Sequence, residues 1–511
     1  MDSLSVATPT EKNPYPNHGG GCVPIATVSV LPKRDAGAGA CLSHRPLLSK
    51  ICEYRMLQRR DNYTFLTQGP IRRVILTMAV PTIASMLVTS LYNVADTYFV
   101  GKINTQAVAA VGIVFSVMFV IQAFSFFFGN GSGNYMAREL GAQRRHHAQI
   151  MASTAFVYAI ASGLVIMVVG LLFLEPLSVW LGSTPTILPY TKRYLGIILL
   201  GAPLMTGSLC LNNQMRFQGN ASFAMWGIVS GAIINVGLNP IFIFLFDWGI
   251  TGAALATVLG QLTSFLVLLY MTRYGGSMRI SFRYFSFSWV YVKEILAGGT
   301  PSLSRQGLTS VASILLNVAT AQYGDAAVAA MSIANRFTMI VMASVIGLGH
   351  GFQPFCGFNY GAHLYSRVRR GFWFSVQVGT CFLLVCSVLG WVFSDGIVEI
   401  FRNDIEVINI GTKALRWQLV SLPAMAFFLM SNMLMQTIRK TFRANLLAAS
   451  RSGLFFIPLV VILPQFLGLQ GVLMSQACSD ICSLLITLPL LYVTFRELTQ
   501  AQKSDATHRT S

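Results

Sequence analysis

Charged residues and histidine are scarce in this 511-residue chain, where Asp, Glu, Lys and Arg together make up 11% and histidine occurs seven times. No Ser/His/Asp order, HExxH motif or paired Cys/His cluster lies in an apolar run, so we expect no enzyme. No GxxxxGK[ST] motif occurs, which argues against ATP as an energy source, and no cofactor is expected. The nine cysteines form no CxxC pair, so neither a disulfide nor a metal site is expected.

Long apolar runs dominate what is present, because 54% of the residues are hydrophobic and the mean hydropathy is +0.60. A transmembrane helix needs about 20 such residues. The composition therefore predicts an all-α polytopic membrane protein with twelve transmembrane helices. The predicted spans are 73–100, 107–130, 151–174, 187–211, 222–246, 250–272, 295–323, 326–352, 371–393, 410–436, 445–466 and 469–494.

The distribution of basic residues argues against nucleic acid as a partner, despite a formal net charge of +18. If the N-terminus is cytoplasmic, most Lys and Arg fall in the two tails and in the even-numbered loops. This is the positive-inside bias of a polytopic membrane protein, and such clusters contact lipid headgroups. We therefore expect a multi-pass protein of the cytoplasmic (inner) membrane with both termini in the cytoplasm.

The two ends of the chain differ from the rest. Residues 1–60 are rich in Gly, Pro, Ser and Ala and contain neither a spanning run nor a signal peptide, so they are predicted to be a disordered tail. Met56 stands five residues before the first motif of the apolar part and is a candidate for the true start. A second tail is predicted at 497–511.

An internal repeat relates the two halves of the apolar part. AVAAVGI at 107–113 matches AVAAMSI at 327–333, and Pro81, Gly129, Gly131, Pro203 and Asn212 each match the same residue type 220 positions later. Six spans separate the copies, so both have the same orientation. We predict two pseudo-symmetric six-helix lobes, 61–273 and 295–496, joined by a cytoplasmic connector at 274–294, with a substrate site between them.

A polar stripe crosses the first span. Ser85, Thr89, Tyr92 and Asp96 share one helix face, with Asn93 beside them. Polar residues within a membrane usually face a bundle interior or a watery cavity and often mark ion or substrate paths. We expect Tyr92, Asn93 and Asp96 to bind a cation or proton and Thr89 to line the substrate cavity, with solvation of Asp96 at the membrane interface as the alternative.

A second polar face lies on the seventh span and includes Arg305, Gln306 and Thr309. A charged Arg within the membrane needs a partner or water, unless it reaches the interface. We expect Arg305 to line the cavity and to pair with Asp480, the other deep acid. A structural pair between Asp480 and another buried Arg is the alternative, and Arg336 in the eighth span raises the same question.

Amides follow a mid-span proline in the fourth and tenth spans, and Asn212, Asn432 and Gln436 are predicted to line the substrate cavity. Several methionines beside them are typical either of a promiscuous ligand surface or of plain packing. The GNGSGN sequence at 129–134 lies in an apolar helix, so its glycines are predicted to allow close helix packing rather than phosphate binding.

Several motifs along 61–496 resemble those of the multidrug and toxic compound extrusion (MATE) family, in its MepA-like branch. They are PTIASMLVTSLYNVADTYFVG, GNGSGNYMARELGA, QMRFQGN, LNPIFIF, TGAALATVLGQ, TPSLSRQGLTSVASILLN and GFQPFCGFNYGA. The resemblance implies twelve helices and export of amphipathic, cationic drugs in exchange for H⁺ or Na⁺ by alternating access.

The resemblance also implies site residues. The family's acid in the first span corresponds to Asp96. Its frequent acid in the fifth span corresponds to Asn239, so that pattern is broken here. Small molecules, H⁺ or Na⁺ and membrane lipids are the expected partners of a monomer. A lipid-linked oligosaccharide flippase of the same broad superfamily is the alternative function, and a membrane enzyme or a non-transporting scaffold are weaker ones.

Overall fold

The computed structural model describes residues 62–274, 278–401 and 404–510. The predicted tail at 1–60, with Met56, lies outside the described residues. The described part contains helices, turns and short connections but no strand. It belongs to one compact unit.

The first half forms the N-lobe. A short helix at 62–68 precedes eight labelled helices, and a π-helical segment, Ile241–Leu245, extends the seventh. The helices are α1 Ile71–Gly101, α2 Thr105–Gly141, α3 Arg145–Leu172, α4 Leu174–Trp180, α5 Leu188–Leu200, α6 Ala202–Phe217, α7 Ala221–Pro240 and α8 Gly249–Tyr274.

The second half forms the C-lobe, in which a π-helical segment, Ser450–Phe455, joins two helices. The helices are α9 Trp289–Ala321, α10 Asp325–Gly361, α11 Tyr365–Val392, α12 Ser394–Phe401, α13 Ile405–Ser421, α14 Ala424–Thr437, α15 Thr441–Ala449, α16 Phe456–Leu467 and α17 Leu469–Thr510.

These helices make twelve crossings, as predicted. Nine described helical segments are long and apolar enough to span a membrane. Two more crossings are bent pairs, α5 with α6 at 48° and α13 with α14 at 53°. The bends lie next to Pro203 and Pro423, which interrupt helical hydrogen bonding. The twelfth crossing is α9, which is 33 residues long and carries the second polar face.

The outer surface of the bundle is apolar. Large hydrophobic side chains such as Val165, Leu172, Leu485 and Tyr492 are each more than 60% exposed. An exposed apolar surface of this kind would be unfavourable in water and is stable against lipid. The exposed side chains therefore mark the lipid-facing belt of a multi-pass membrane protein.

The repeat is visible in the backbone as well as in the sequence. Left-handed conformations recur at the same offset of 220, at Gln143 and His363 and again at Gly219 and Arg439. The offset also holds for a side-chain contact, because each of the two paired asparagines donates from its amide to the backbone carbonyl twelve residues later. Asn212 donates to Ala224 at 2.7 Å and Asn432 donates to Ala444 at 2.8 Å.

Close helix crossings join the two lobes, with α2 against α9 and α1 against α10. A Cβ on Gly131 would lie 2.5 Å from the Ile295 carbonyl oxygen, and one on Gly351 would lie 2.5 Å from the Ala79 Cα. These two glycines are repeat partners, so the halves cross each other in the same way. The packing role predicted for the glycines is confirmed.

Two predicted boundaries differ from the structure. The helix α9 begins at Trp289, inside the predicted connector 274–294. The final helix α17 continues to Thr510, through the predicted tail at 497–511. Helical hydrogen bonding does not stop where the apolar run stops, so hydropathy underestimates helices that extend into water. We call the end of the bundle that carries the connector and the last turns of α17 the connector end.

Candidate functional site

A cavity of about 230 Å³ lies between the lobes, towards the end of the bundle opposite the connector. Helices α1, α2 and α6 contribute from the N-lobe, and α9 and α10 from the C-lobe. Four methionines and three phenylalanines make most of its wall apolar, and eight of its seventeen lining residues are polar. The lining residues are Met86, Thr89, Ser90, Tyr92, Phe115, Met118, Phe119, Gln122, Phe126, Met205, Ser302, Arg305, Gln306, Met339, Ala343, Ile346 and His350.

The two predicted polar faces meet at this cavity. Thr89 and Tyr92 line it from α1, and Arg305 and Gln306 line it from α9. The Gln306 amide donates to the Gln122 carbonyl oxygen across the lobe boundary at 3.2 Å. Each lobe therefore contributes one polar helix face to the cavity. A polar face is unfavourable against lipid, so the two faces point towards the space between the lobes.

A second arginine lies behind the cavity wall. Arg216, at the end of α6, is 1% exposed. Its Nη1 lies 2.7 Å from the His350 Nδ1, and its Nη2 donates to the Asn130 Oδ1 at 3.2 Å. A guanidinium only donates hydrogen bonds, so the Nδ1 of His350 accepts. Sequence reasoning missed Arg216 because the fourth span was predicted to end at 211.

The contacts of Arg305 also lack a carboxylate. Its Nη1 donates to the Asn432 Oδ1 at 3.3 Å, at the long end of the hydrogen-bond range. Within the described residues, neither Arg305 nor Arg216 has a carboxylate within ion-pair distance. The interlobe cavity therefore carries net positive charge from the described side chains.

The predicted pair between Arg305 and Asp480 is wrong. Asp480 Oδ1 accepts from the Arg451 Nε at 2.7 Å, and its Oδ2 accepts from Ser421 at 2.9 Å. Asp480 is 4% exposed at its side chain and lies outside the lining of the cavity. The alternative interpretation holds, since Arg451 lies in the π-helical segment that faces α17. One-dimensional spacing cannot choose between two arginines of the same lobe.

The carboxylate of Asp96 is buried in the N-lobe. It is 4% exposed, and its Oδ1 accepts from the Asn239 Nδ2 at 2.9 Å. Asn239 also approaches the Asn235 Oδ1 at 3.4 Å, and Asn235 donates to Thr257 at 3.2 Å. Asp96 and Asn239 were predicted together and do lie together. Because the carboxylate is buried, solvation at the interface does not describe it.

Two further oxygen atoms lie near the Asp96 carboxylate. The Asn239 Oδ1 is buried without a hydrogen-bond partner among the described residues, and the fully buried Tyr194 hydroxyl interacts with Asp96 and Thr257. A buried polar atom without a partner is unfavourable, so the Asn239 oxygen is available to a proton donor or a cation. The carboxylate, this amide oxygen and the Tyr194 hydroxyl together form an oxygen-rich site that suits a hard cation.

A smaller cavity of about 70 Å³ adjoins the interlobe cavity within the N-lobe. Asn235 and Thr257 line its inner part. Thr89, Tyr92, Gln122 and Met205 line both cavities. Asp96 does not line the small cavity but is linked to it through Asn239, which contacts both the carboxylate and the lining residue Asn235.

Four residues predicted to line the substrate cavity lie outside the lining of the interlobe cavity, because their polar atoms contact neighbouring helices instead; they are Asn212, Thr309, Asn432 and Gln436. Gln436 is buried and donates to Ser302 at 2.8 Å and to the Gly298 carbonyl at 2.7 Å. Thr309 is exposed and contacts Ser452 at 3.2 Å. Asn212 and Asn432 hold the neighbouring helix through the carbonyl contacts described above. The side chain of Asn93 lies outside the described part of the structure.

At the connector end an ion-pair cluster joins the lobes. Glu294 on α9 accepts from Arg138 on α2 at 2.9 Å and from Arg439 at 2.7 Å. Arg138 also donates to the Thr437 carbonyl at 2.7 Å, and Thr437 donates to Asn134 at 2.8 Å. The connector end is therefore closed between the lobes. A separate cavity of about 470 Å³ beside the connector contains none of the predicted site residues.

A shared cavity between two pseudo-symmetric helical lobes, faced by polar helix surfaces inside an apolar bundle, is the arrangement of a polytopic membrane transporter. The profile of the MatE family matches residues 81–241 and again 301–462, one block in each lobe. The chain belongs to the MatE family. The double match also confirms the repeat at the predicted position.

Named relatives agree with this family. The multidrug export protein MepA of Staphylococcus aureus (strain MSSA476) is 24% identical over 438 residues, which cover 85% of this chain and 96% of MepA. A multidrug resistance MATE transporter of the MOP superfamily, solved outward-facing, has a TM-score of 0.81 at 24% identity and covers 85% of this chain and 98% of its own.

A MOP superfamily transporter from Pyrococcus furiosus also has a TM-score of 0.81 at 24% identity, with 86% of this chain and 98% of its own covered. That protein is described as having a binding pocket of reverse polarity, which suggests a different function for it. At this identity the solved structures are similar to this chain in fold.

Proposed function

We propose that this protein is a secondary active antiporter that exports amphipathic small molecules in exchange for H⁺ or Na⁺. The observation that carries the proposal is the buried Asp96, which is linked through Asn239 to Asn235 in the wall of the small cavity, and that cavity shares four lining residues with the space between the lobes. Loading one site can then change the other through the same side chains. The relatives named as multidrug export proteins support the direction of transport.

Coupling would arise from the cost of keeping Asp96 charged in a dry site. A proton or a monovalent cation that binds the carboxylate removes that cost, and the Asn239 oxygen, with the Tyr194 hydroxyl that interacts with Asp96, would complete the coordination of a cation. Moving one charge through 100 mV supplies about 2.3 kcal/mol. The loaded and empty states would then favour opposite openings of the cavity.

The closed connector end fits one state of an alternating-access cycle. If the protein lies in the inner membrane with both termini in the cytoplasm, the ion-pair cluster around Glu294 would close the cytoplasmic side while the cavity faces outward. Substrate would leave to the outside in this state. Opening the connector end and closing the opposite end would return the empty cavity to the cytoplasm.

The cavity wall supports an amphipathic substrate. Methionine and phenylalanine side chains adapt to varied apolar shapes, while a few polar groups orient the ligand. The cationic substrates implied by the family resemblance do not match the charge of this wall, because Arg305 lines it, Arg216 lies behind it, and its lining contains no carboxylate among the described residues. The reverse polarity described for the Pyrococcus transporter supports the idea that this fold accommodates more than one sign of charge.

The other candidate functions have less support. The relatives are multidrug exporters, which does not favour a flippase for lipid-linked oligosaccharides. The chain resembles transporters over nearly its whole apolar part. This extent favours export over the function of a membrane enzyme or of a passive scaffold.

Transport by purified protein in proteoliposomes with an imposed H⁺ or Na⁺ gradient tests the proposal. Asp96→Asn should abolish gradient-driven movement of a fluorescent amphipath while the protein stays folded, because the amide cannot exchange a proton. Asp325→Asn is the matched control, since Asp325 is exposed at the start of α10. Equal transport by the folded Asp96→Asn protein and the control would refute the coupling role.

A further inference from the structure

Basic side chains from both lobes converge on the interlobe cavity, and none of the carboxylates in the described part of the chain lies within ion-pair distance of their guanidinium groups. Arg305 and His350 line the cavity from the C-lobe, and Arg216 reaches His350 from the N-lobe at 2.7 Å. We propose that this cluster of Arg216, Arg305 and His350 binds the anionic head of the transported molecule, a carboxylate, sulfonate or phosphate monoester. The inference rests on the proposed exporter and names its substrate class.

The charge state of the cluster is fixed by chemistry. Arginine stays protonated in proteins, so neither guanidinium can shed its charge on burial. The Nδ1 of His350 accepts from Arg216 and therefore does not add a third positive charge. Two positive charges remain on opposite sides of the lobe boundary, and they interact with each other electrostatically.

The protein satisfies these charges only in part. Arg305 has one long contact with an amide oxygen, and the Arg216 Nε is buried without a partner. Buried charges normally have an opposite charge or a full set of hydrogen bonds. A ligand oxyanion would supply both, since carboxylate, sulfonate and phosphate groups match the fork of donors on a guanidinium.

The rest of the wall indicates what the head is attached to. Phe115, Phe119 and Phe126 and four methionines surround the polar end, and the cavity of about 230 Å³ fits a head with a small aromatic or aliphatic body. The ligand class is therefore an amphipathic organic anion. A lipophilic cation of equal size would lose hydration and meet the repulsion of two arginines.

A matched pair of probes tests the sign of the charge. Purified full-length protein in a nonionic detergent is dialysed against 2-naphthalenesulfonate or 2-naphthylmethylammonium, which share a ring and differ in the head. We expect the sulfonate to bind at least about tenfold more tightly, since charge-assisted hydrogen bonds to a buried site are among the strong ones.

Three variants assign the binding to the cluster. Arg305→Gln should weaken the sulfonate at least about tenfold, because it keeps an amide near Asn432 but removes the charge. Arg305→Lys should lose less, since it keeps the charge and loses the fork. Arg336→Gln is the control, because Arg336 is exposed on the neighbouring helix and outside the cavity lining, so it should bind like the parent.

Several results would overturn the proposal. They are tighter binding of the ammonium, binding of neither probe, or sulfonate binding that is the same in Arg305→Gln and Arg336→Gln. Thermal unfolding identifies a misfolded Arg305→Gln protein. In that case the sulfonate affinity of Arg305→Lys is compared with that of Arg336→Gln, and equal affinities would overturn the proposal. Gradient-driven transport separates the two hypotheses. Sulfonate binding without coupled transport would support the anion site and refute the exporter. Coupled transport of the ammonium alone would support the exporter and refute the anion site.

Discussion

The ion-pair cluster at the connector end gives a prediction whose size follows from burial. Glu294 is 8% exposed at its side chain and accepts from Arg138, which is 13% exposed and lies on the other lobe. Glu294→Gln keeps one acceptor oxygen but removes the charge. We expect this change to loosen the closed connector end, because Arg138 then stays buried beside a neutral group.

The two arginines contribute unequally. Removing one partner of a buried ion pair costs about 3–5 kcal/mol. Arg439 is 59% exposed, so its contact with Glu294 adds no more than about 1 kcal/mol. The retained amide oxygen and the Arg138 contact with Thr437 reduce the net loss to roughly 2–3 kcal/mol, which shifts the population of closed protein about 30- to 150-fold.

Hydrogen exchange measured by mass spectrometry reads this shift in the intact protein. Peptides from 134–145 and 289–299, which meet at the connector end, should exchange faster in Glu294→Gln. Peptides from the opposite end should exchange more slowly, because opening one end closes the other. Glu175→Gln is the matched control, since its partner Lys192 and Glu175 itself are both exposed at 39% and 60%.

Two outcomes would refute the reasoning. Exchange at the connector end that matches the Glu175→Gln control would mean that the cluster does not hold the lobes together. Faster exchange at both ends would mean that Glu294 stabilises the whole fold rather than one conformation. Opposite changes at the two ends are the signature of a gate.

Two further predictions concern the buried acids. Asp480→Asn should lower the unfolding temperature. The double variant Asp480→Asn with Arg451→Gln should lower it by less than the sum of the single changes, because the two side chains form one pair. Additive losses of unfolding temperature in a thermal-shift series would contradict the pair. Asn239→Asp should place a second carboxylate beside Asp96 and change the pH dependence of transport in proteoliposomes, since two adjacent carboxylates share a proton; an unchanged profile would exclude Asn239 from the coupling site.

Much of the fold was predictable because apolar runs and a fixed repeat offset are one-dimensional signals. The spans follow from the cost of burying an unpaired backbone in lipid, and the offset of 220 locates equivalent bends and turns in both lobes. The helix ends were less accessible. Trp289 begins a helix and Thr510 ends one in polar sequence, where hydropathy carries no information.

The site was only half predictable. Asp96 and Asn239 were found because one lies on a polar stripe and the other breaks a family motif. Arg216 and Glu294 were missed because each lies just beyond a predicted apolar run, in sequence that reads as a loop. Their roles depend on which lobe they face, and that information is three-dimensional.

The interlobe arrangement also decided between alternatives that spacing left open. Arg305 and Arg451 lie in the same lobe as Asp480, and only the fold shows that Arg451 is its partner. The fold likewise decides the surroundings of Arg305, which contacts Asn432 and lines the cavity. Sequence patterns identify polar helix faces, whereas helix packing decides which faces meet.

The central claim is that a cation gradient drives an amphipath across the membrane through Asp96. The most direct measurement follows 2-naphthalenesulfonate and ethidium in proteoliposomes under imposed H⁺ and Na⁺ gradients, with parent, Asp96→Asn and Asp325→Asn proteins side by side. We predict gradient-dependent movement of at least one probe by the parent and Asp325→Asn, and none by Asp96→Asn. Movement that ignores both gradients, or that survives in folded Asp96→Asn, would contradict the account.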